Sequence, residues 1–190
     1  MRPLKQNVKI YNLRIVPPEP IFSEVVSFKK QFISTFGKQP LSKSKPHITL
    51  AIFEMDPREE GNIINVFSPL GKQDSFMLDV DGFGTFDGKN ANVSLLKIPM
   101  TKALEQIYDQ LKMIKKSNYF VKQIGMIIPG TPHMTISKTV DKATLQASLD
   151  MFHKTPYSRS FLVDRLVLTS RPYGKTWDWS HDIMLNKSIG

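Results

Sequence analysis

The 190-residue chain has no cysteine. That excludes disulfides, thiolate nucleophiles and any cysteine-ligated zinc or iron-sulfur centre. No apolar run approaches the roughly 20 residues needed to cross a bilayer. The opening Met1-Arg2-Pro3-Leu4-Lys5-Gln6-Asn7 carries no apolar signal region, so a cytoplasmic protein without a membrane partner is expected. The sequence also lacks a G-x-S-x-G nucleophile elbow, a P-loop and an H-E-x-x-H zinc motif. Gly82-Phe83-Gly84 begins like a dinucleotide loop, but Asp87 stands where the third glycine is required. Acidic residues are the minority charge, 17 against 26 Lys and Arg, for a net charge of +9. Such an excess favours polyanionic partners through long-range attraction and counterion release. Part of it is ordinary surface, since Lys112, Lys115 and Lys116 suit the negative end of a helix dipole. Lys43 and Lys45 lead into a histidine.

Histidine is scarce as well, four in all, yet two stand in matching surroundings. Pro46-His47-Ile48-Thr49-Leu50-Ala51-Ile52 is echoed 86 positions later by Pro132-His133-Met134-Thr135-Ile136-Ser137-Lys138. A proline fixes its own φ and pushes its predecessor towards extended backbone, so each motif reads as the opening of a strand. Residues two apart on a strand share a face. His47 and Thr49 therefore point one way and Ile48, Leu50 and Ile52 the other, as His133 and Thr135 oppose Met134 and Ile136. Like-facing side chains lie about 6 to 7 Å apart, so one His and one Thr can converge on different oxygens of one phosphate. A single His-x-Thr is more often a structural histidine beside a β-favouring threonine; two with the same proline and the same apolar backing point to a shared site. Strict alternation aims Lys138 away from His133 unless the strand twists or ends.

Around the motifs, periodicity lays out an alternation of strands and helices. Val8 to Val16 reads as a first strand closed by Pro17, Pro18 and Pro20, and Phe22, Val25, Phe28, Phe32 and Phe36 recur at helical spacing up to Gly37. That spacing assigns the phenylalanines to the core rather than to base stacking. After the first motif strand, His47 to Phe53, Asp56-Pro57-Arg58-Glu59 starts a helix weakened by Gly61 and ended by Pro69. A strand from Phe76 to Asp81 runs into Gly82 and Gly84, with Asn92 to Ile98 as its hairpin partner. Leu104, Ile107, Leu111 and Ile114 mark a helix, and a polar crossing with an apolar patch at Met126-Ile127-Ile128 leads to the second motif. Asp141 caps a helix bearing Leu145, Leu149 and Phe152. Two strands follow, Phe161 to Ser170 and Trp177 to Leu185. The order implies an α+β fold in which one α/β unit is weakly duplicated, residues 1–190 forming a single domain of two lobes with no linker between them.

The paired motifs resemble the signature of the 2H phosphoesterase superfamily, named for two His-x-Thr/Ser motifs, and in particular its 2'-5' RNA ligase-like branch. Gly82-Phe83-Gly84-Thr85-Phe86 is similar to the family's glycine-bearing strand end, and Phe161 to Ser170 to its late strand ending in serine. These landmarks run from about residue 8 to residue 185. The resemblance implies two pseudo-symmetric lobes of antiparallel sheet flanked by helices around a central cleft. It implies catalytic roles for His47, Thr49, His133 and Thr135, with Lys45, Lys138, Ser170, Arg171 and Tyr173 as substrate-binding candidates. Implied substrates are 2',3'-cyclic phosphates on RNA ends, 2'-5' linkages or small cyclic nucleotide phosphates, and the reverse reaction would be RNA ligation. Two histidines with pKa near 6.5 can serve as base and acid, so neither a metal nor another cofactor is required; which is which stays open. A monomer is expected, and a non-catalytic RNA-binding module that retained the cleft is the competing reading. Arg165, Thr169, Arg171 and Tyr173 share alternation parity and line either a nucleic-acid groove or a solvated strand face. Trp177 and Trp179 also share parity and either stack a base or, as expected here, pack in the core; His153 and His181 are expected to be structural.

Overall fold

The computed structural model describes residues 8–88, 91–139 and 141–187. An unbroken buried run from Tyr11 to Ile15 lies in strand β1 (Lys9–Ile15). The phenylalanine-rich repeat forms helix α1 (Ile21–Phe36), closed by Gly37 at φ 75°. The first motif continues as β2 (Ile48–Met55). Asp56 accepts a hydrogen bond from the Arg58 amide, but the turn it caps is a short 3-10 helix, Pro57–Glu59, and α2 (Glu60–Phe67) follows. Next come β3 (Phe76–Asp81), β4 (Phe83–Gly88) and β5 (Ala91–Lys97). Thr101 caps α3 (Lys102–Ser117), and a short α4 (Tyr119–Gln123) occupies the crossing where no helix was expected, started by the Asn118 side chain accepting from Val121 N. The second motif opens β6 (His133–Thr139), and Asp141 accepts from the Thr144 amide to start α5 (Lys142–His153). β7 (Ser158–Val163), β8 (Arg165–Pro172) and β9 (Trp179–Met184) complete the order.

Seven strands form one sheet in the order β4-β5-β6-β2-β1-β8-β9, with antiparallel pairing. Its centre is narrow. Among the described residues β2 meets β6 as strand partners only at Ile48 opposite Met134. Beyond that point Ile52 exchanges backbone hydrogen bonds of 2.9 and 2.8 Å with Ile127 instead, so the two wings diverge. The helices cover one face. On the β4-β5-β6 wing, Phe28 of α1 meets Phe83 and Tyr157 edge-on at 5.0 and 4.9 Å, and Phe83 stacks on Phe152 of α5 at 4.5 Å. On the other wing, Tyr11 stacks on Phe53 at 5.4 Å and Phe53 meets Phe67 of α2 at 6.0 Å. Phe32 is fully buried, so the period of α1 does report core.

Two expected strands are divided. Gly82, at φ 68°, breaks the run from Phe76, donating its amide to Tyr157 while its carbonyl accepts from Lys97. The hairpin partner of β5 is therefore β4, and β3 pairs with β7 in a separate two-stranded sheet. The late strand likewise splits at Asp164, a poor strand residue whose carbonyl accepts from Leu185 N. Among the described residues no helix is long and apolar enough to cross a membrane.

Candidate active site

The open face of the sheet carries the paired motifs. Through Ile48 and Met134 the strands run antiparallel, which sets His47 beside Thr135 and Thr49 beside His133 on the face opposite those two buried residues. The histidines thus occupy a diagonal of this quartet, roughly 7–8 Å apart at Cα by strand geometry. Each strand then bulges at the third residue after its histidine. Leu50 is the extra residue between the pairs Arg14–Thr49 and Leu13–Ala51, and Ile136 is the extra residue between Leu95–Thr135 and Ser94–Ser137. A bulge shifts the alternation by one. Lys138 is thereby returned to the face of His133 and Thr135, where strict alternation aimed it away. Ile52, its counterpart in β2, likewise shares the open face with Thr49 and Asn12, correcting the expectation that it backs the motif.

Both rings are fixed in the same way. His47 Nδ1 lies 2.7 Å from the Lys45 carbonyl and His133 Nδ1 lies 2.9 Å from the Thr131 carbonyl. A carbonyl only accepts, so each Nδ1 carries its proton and each Nε2 is left to exchange one with a ligand. Burial pushes the His47 imidazole down to about 4, helped by the positive charges of Arg14, Lys29 and His133 and opposed by the Lys45 carbonyl. Burial also lowers His133, against the pull of the Thr131 carbonyl. Phe86 of β4 meets the His133 ring edge-on at 4.8 Å. Thr49 Oγ1 accepts from Asn12 Nδ2 at 3.2 Å, which leaves its own hydrogen available to a ligand.

Two side chains near the quartet, Arg14 and Lys29, were not singled out from the sequence. Arg14 faces Thr49 across the β1–β2 ladder, only 5 % exposed, with its guanidinium carbon 4.1 Å from the centre of the Trp177 ring. Its legible signal was the polar pair Asn12 and Arg14, two apart in an otherwise apolar strand. Lys29 of α1 is 3 % exposed and donates to the Ile136 carbonyl at the β6 bulge, to Ser44 Oγ and to the Leu41 carbonyl. Burial lowers its pKa to about 8. Beside His133, a hollow of about 450 Å³ is lined by Phe86, Leu95, Pro99 and Pro132 among others. A larger one, about 760 Å³, lies between α3 and residues 128–130 and contains neither histidine; the quartet, on an open face, is the better seat for chemistry because its polar groups converge.

Residues 17–174 match the family model of the 2'-5' RNA ligase superfamily. The chain belongs to that superfamily. Its two His-x-Thr strands are those of the 2H phosphoesterase superfamily. Solved structures agree on the fold: TT0787 of Thermus thermophilus superposes with a TM-score of 0.67 at 15 % identity, covering 94 % of this chain and 99 % of that one. LigT of E. coli complexed with 3'-AMP gives 0.60 at 15 %, covering 93 % and 98 %. Usb1 of Kluyveromyces marxianus gives 0.50 at 11 %, covering 96 % and 100 %. No curated protein matches significantly.

The other candidates of this 2H chain divide by face. Arg171 stands with Asn12 and Thr169 on the open face and lies 5.1 Å from the Trp177 ring centre. Trp177 is thus half-buried under guanidinium groups rather than packed in the core. Tyr173 sits at the rim, its hydroxyl held by the Glu54 carboxylate, which raises its pKa. Lys45 is exposed and contributes its carbonyl to His47. Ser170 is not brought to the site: it pairs with Tyr11 in the ladder, is fully buried and faces the helices. Arg165 is occupied by Asp164 and Asp182, and His181 stacks near Trp179 at 6.5 Å. Trp179 packs against Tyr11, and His153 is exposed at the end of α5. Among the described residues no three His, Asp or Glu side chains converge as metal ligands.

Proposed function

We propose that this 2H protein is a phosphodiesterase that opens 2',3'-cyclic phosphates on RNA-derived ends, using His47 as base and His133 as acid. The observation that carries the reading is the His-Thr quartet on one open face, each ring locked through Nδ1 to the carbonyl two residues before it. In hydrolysis, His47 Nε2 takes a proton from water as the water oxygen bonds to phosphorus. The bond from phosphorus to one ribose oxygen breaks, and that oxygen takes the proton from His133 Nε2. One P–O bond forms and one breaks, and solvent returns the two rings to their starting states. Each transfer contributes roughly 10² to 10⁴ in rate and neither needs a metal. Thr49 and Thr135 donate to the non-bridging oxygens as charge builds there, and Lys138 adds a cation on the same face. The assignment of roles follows His47 being the more proton-poor site at about 4.

With a 5'-hydroxyl in place of water the same groups would join it to the cyclic phosphate as a 2'-5' bond, and that step run in reverse would cleave such a bond back to the cyclic phosphate and the hydroxyl. Ligands of the LigT structures support nucleotide phosphates as substrates, since that protein has been solved with 3'-AMP and with phosphate. Purified protein in excess chelator is expected to convert a cyclic-phosphate-ended oligoribonucleotide to the monoester. Activity appearing only with added divalent metal would overturn the mechanism; tight binding with no product over long incubation would favour a non-catalytic RNA-binding module.

A further inference from the structure

We infer that Arg14, together with Arg171 and Asn12, forms a second phosphate site beside the His-Thr quartet, one that takes the phosphate on the 5' side of the reacting nucleotide. This rests on the proposed reaction and narrows its substrate to RNA ends or 5'-phosphorylated nucleotides rather than nucleosides bearing a cyclic phosphate alone. Arg14 is 5 % exposed, yet its Nε and Nη2 have no hydrogen-bond partner among the described residues. Arg171 Nε and Asn12 Oδ1 are buried and unpartnered there too. A buried guanidinium without an acceptor costs stability, and native proteins keep such a group where a ligand supplies the missing partner. No carboxylate fills that role: the charged neighbour acting on Arg14 is another cation, Arg171, which with burial lowers its pKa to about 10. The two guanidinium carbons lie 4.1 and 5.1 Å from the centre of one ring, Trp177. Two arginines held by one indole are pre-oriented donors, and planar guanidinium groups match phosphate oxygens.

Position sets the class of ligand. Arg14 faces Thr49 directly across the ladder, so its site adjoins the quartet without being part of it. The matching position in the other wing, opposite Thr135, is Leu95. Leu95 lines the hollow beside His133 with Phe86, Pro99 and Pro132, at whose edge Lys97 and Asp81 pair with each other at 4.0 Å. The position across from the motif threonine thus carries a buried guanidinium in one wing and an aliphatic side chain in the other. A ligand that fits both is itself asymmetric, with a second phosphate on one side of the reacting one and a base or sugar on the other.

Binding separates this inference from the catalytic reading, because it needs no turnover. Titration calorimetry would compare adenosine 3'-phosphate with adenosine 3',5'-bisphosphate, and both with the dinucleotide ApAp, which carries an internal phosphodiester in place of the free 5'-phosphate. The wild type is expected to bind the two 5'-phosphorylated ligands at least about tenfold more tightly, the size of one charge-assisted contact. In Arg14→Gln and in Arg171→Gln that ratio is expected to fall towards one, whereas His47→Ala weakens all three ligands and preserves it. Tighter binding of the bisphosphate but not of ApAp assigns the site to a terminal phosphate, and tighter binding of both to an RNA strand. Equal wild-type affinities, or a ratio unchanged in folded Arg14→Gln or Arg171→Gln protein, would overturn the inference whether or not the protein is a phosphodiesterase.

Discussion

At the scale of single residues, the two histidines share a lock but not an environment. The carbonyls of Lys45 and Thr131 fix matching tautomers, while Arg14 and Lys29 add positive charge on the His47 side. If His47 must be neutral and His133 protonated, kcat/KM is expected to be bell-shaped, with its acid limb at about 4 and its alkaline limb below the ordinary histidine value of 6.5. The limbs belong to the coupled pair, but the position of the bell below neutrality is diagnostic. An optimum above pH 7.5 would contradict the electrostatics of the site. The same shift bears on stability. The unfolded imidazole binds its proton near 6.5 and the folded one near 4, so the contribution of neutral His47 is complete above 6.5 and is lost as pH falls through 4. His47→Gln is therefore expected to lose less stability than wild type between those values, read by denaturant midpoints at pH 4 and pH 7. His-x-Thr itself was legible from two copies of a tripeptide. Arg14 showed only as a polar residue in an apolar strand, because its meaning depends on Trp177, far along the chain.

At the scale of elements, the decisive feature is the bulge repeated at Leu50 and Ile136. Nothing in Leu50-Ala51 or Ile136-Ser137 marks a bulge, since these residues suit an ordinary strand, so alternation read from the sequence failed beyond the threonines. In β6 the disturbed backbone is held from outside: Lys29 donates to the Ile136 carbonyl at 3.0 Å, and the Pro40 carbonyl accepts from Lys138 N at 2.8 Å. Lys29→Met removes a buried cation but leaves that carbonyl bare. It is expected to cost about 1–3 kcal/mol, the usual penalty for a buried group without its partner. Activity should fall further than stability, as Lys138 and the motif strand lose their setting. Unchanged urea midpoint and unchanged kcat would show that Lys29 does not hold the bulge. Gly82 and Asp164 show the opposite case. Both carry a visible break signal, and it was their consequence, two strands leaving for a second sheet, that only long-range pairing could reveal.

At the scale of the whole molecule, a repeated order of elements explains how much of the fold could be read in advance. Each half repeats strand, helix and motif strand, so the α+β class and the opposed wings follow from local periodicity. How the wings join did not, because one residue pair, Ile48 with Met134, and the Ile52–Ile127 bridge carry the connection. The net charge of +9 acts at this scale too. For an oligoribonucleotide, KM is expected to rise steeply with salt as counterion release is lost, whereas a cyclic mononucleotide should respond weakly. Equal salt dependence would show that contacts are confined to the reacting nucleotide. The most direct test of the two-histidine account is the rate of His47→Ala and His133→Ala on two substrates, one with a natural ribose leaving group and one with an activated phenolate. A phenolate departs without a proton, so His133→Ala should recover most of its loss on that substrate and His47→Ala should not. Equal rescue of both variants, or rescue of neither, would contradict the division of base and acid.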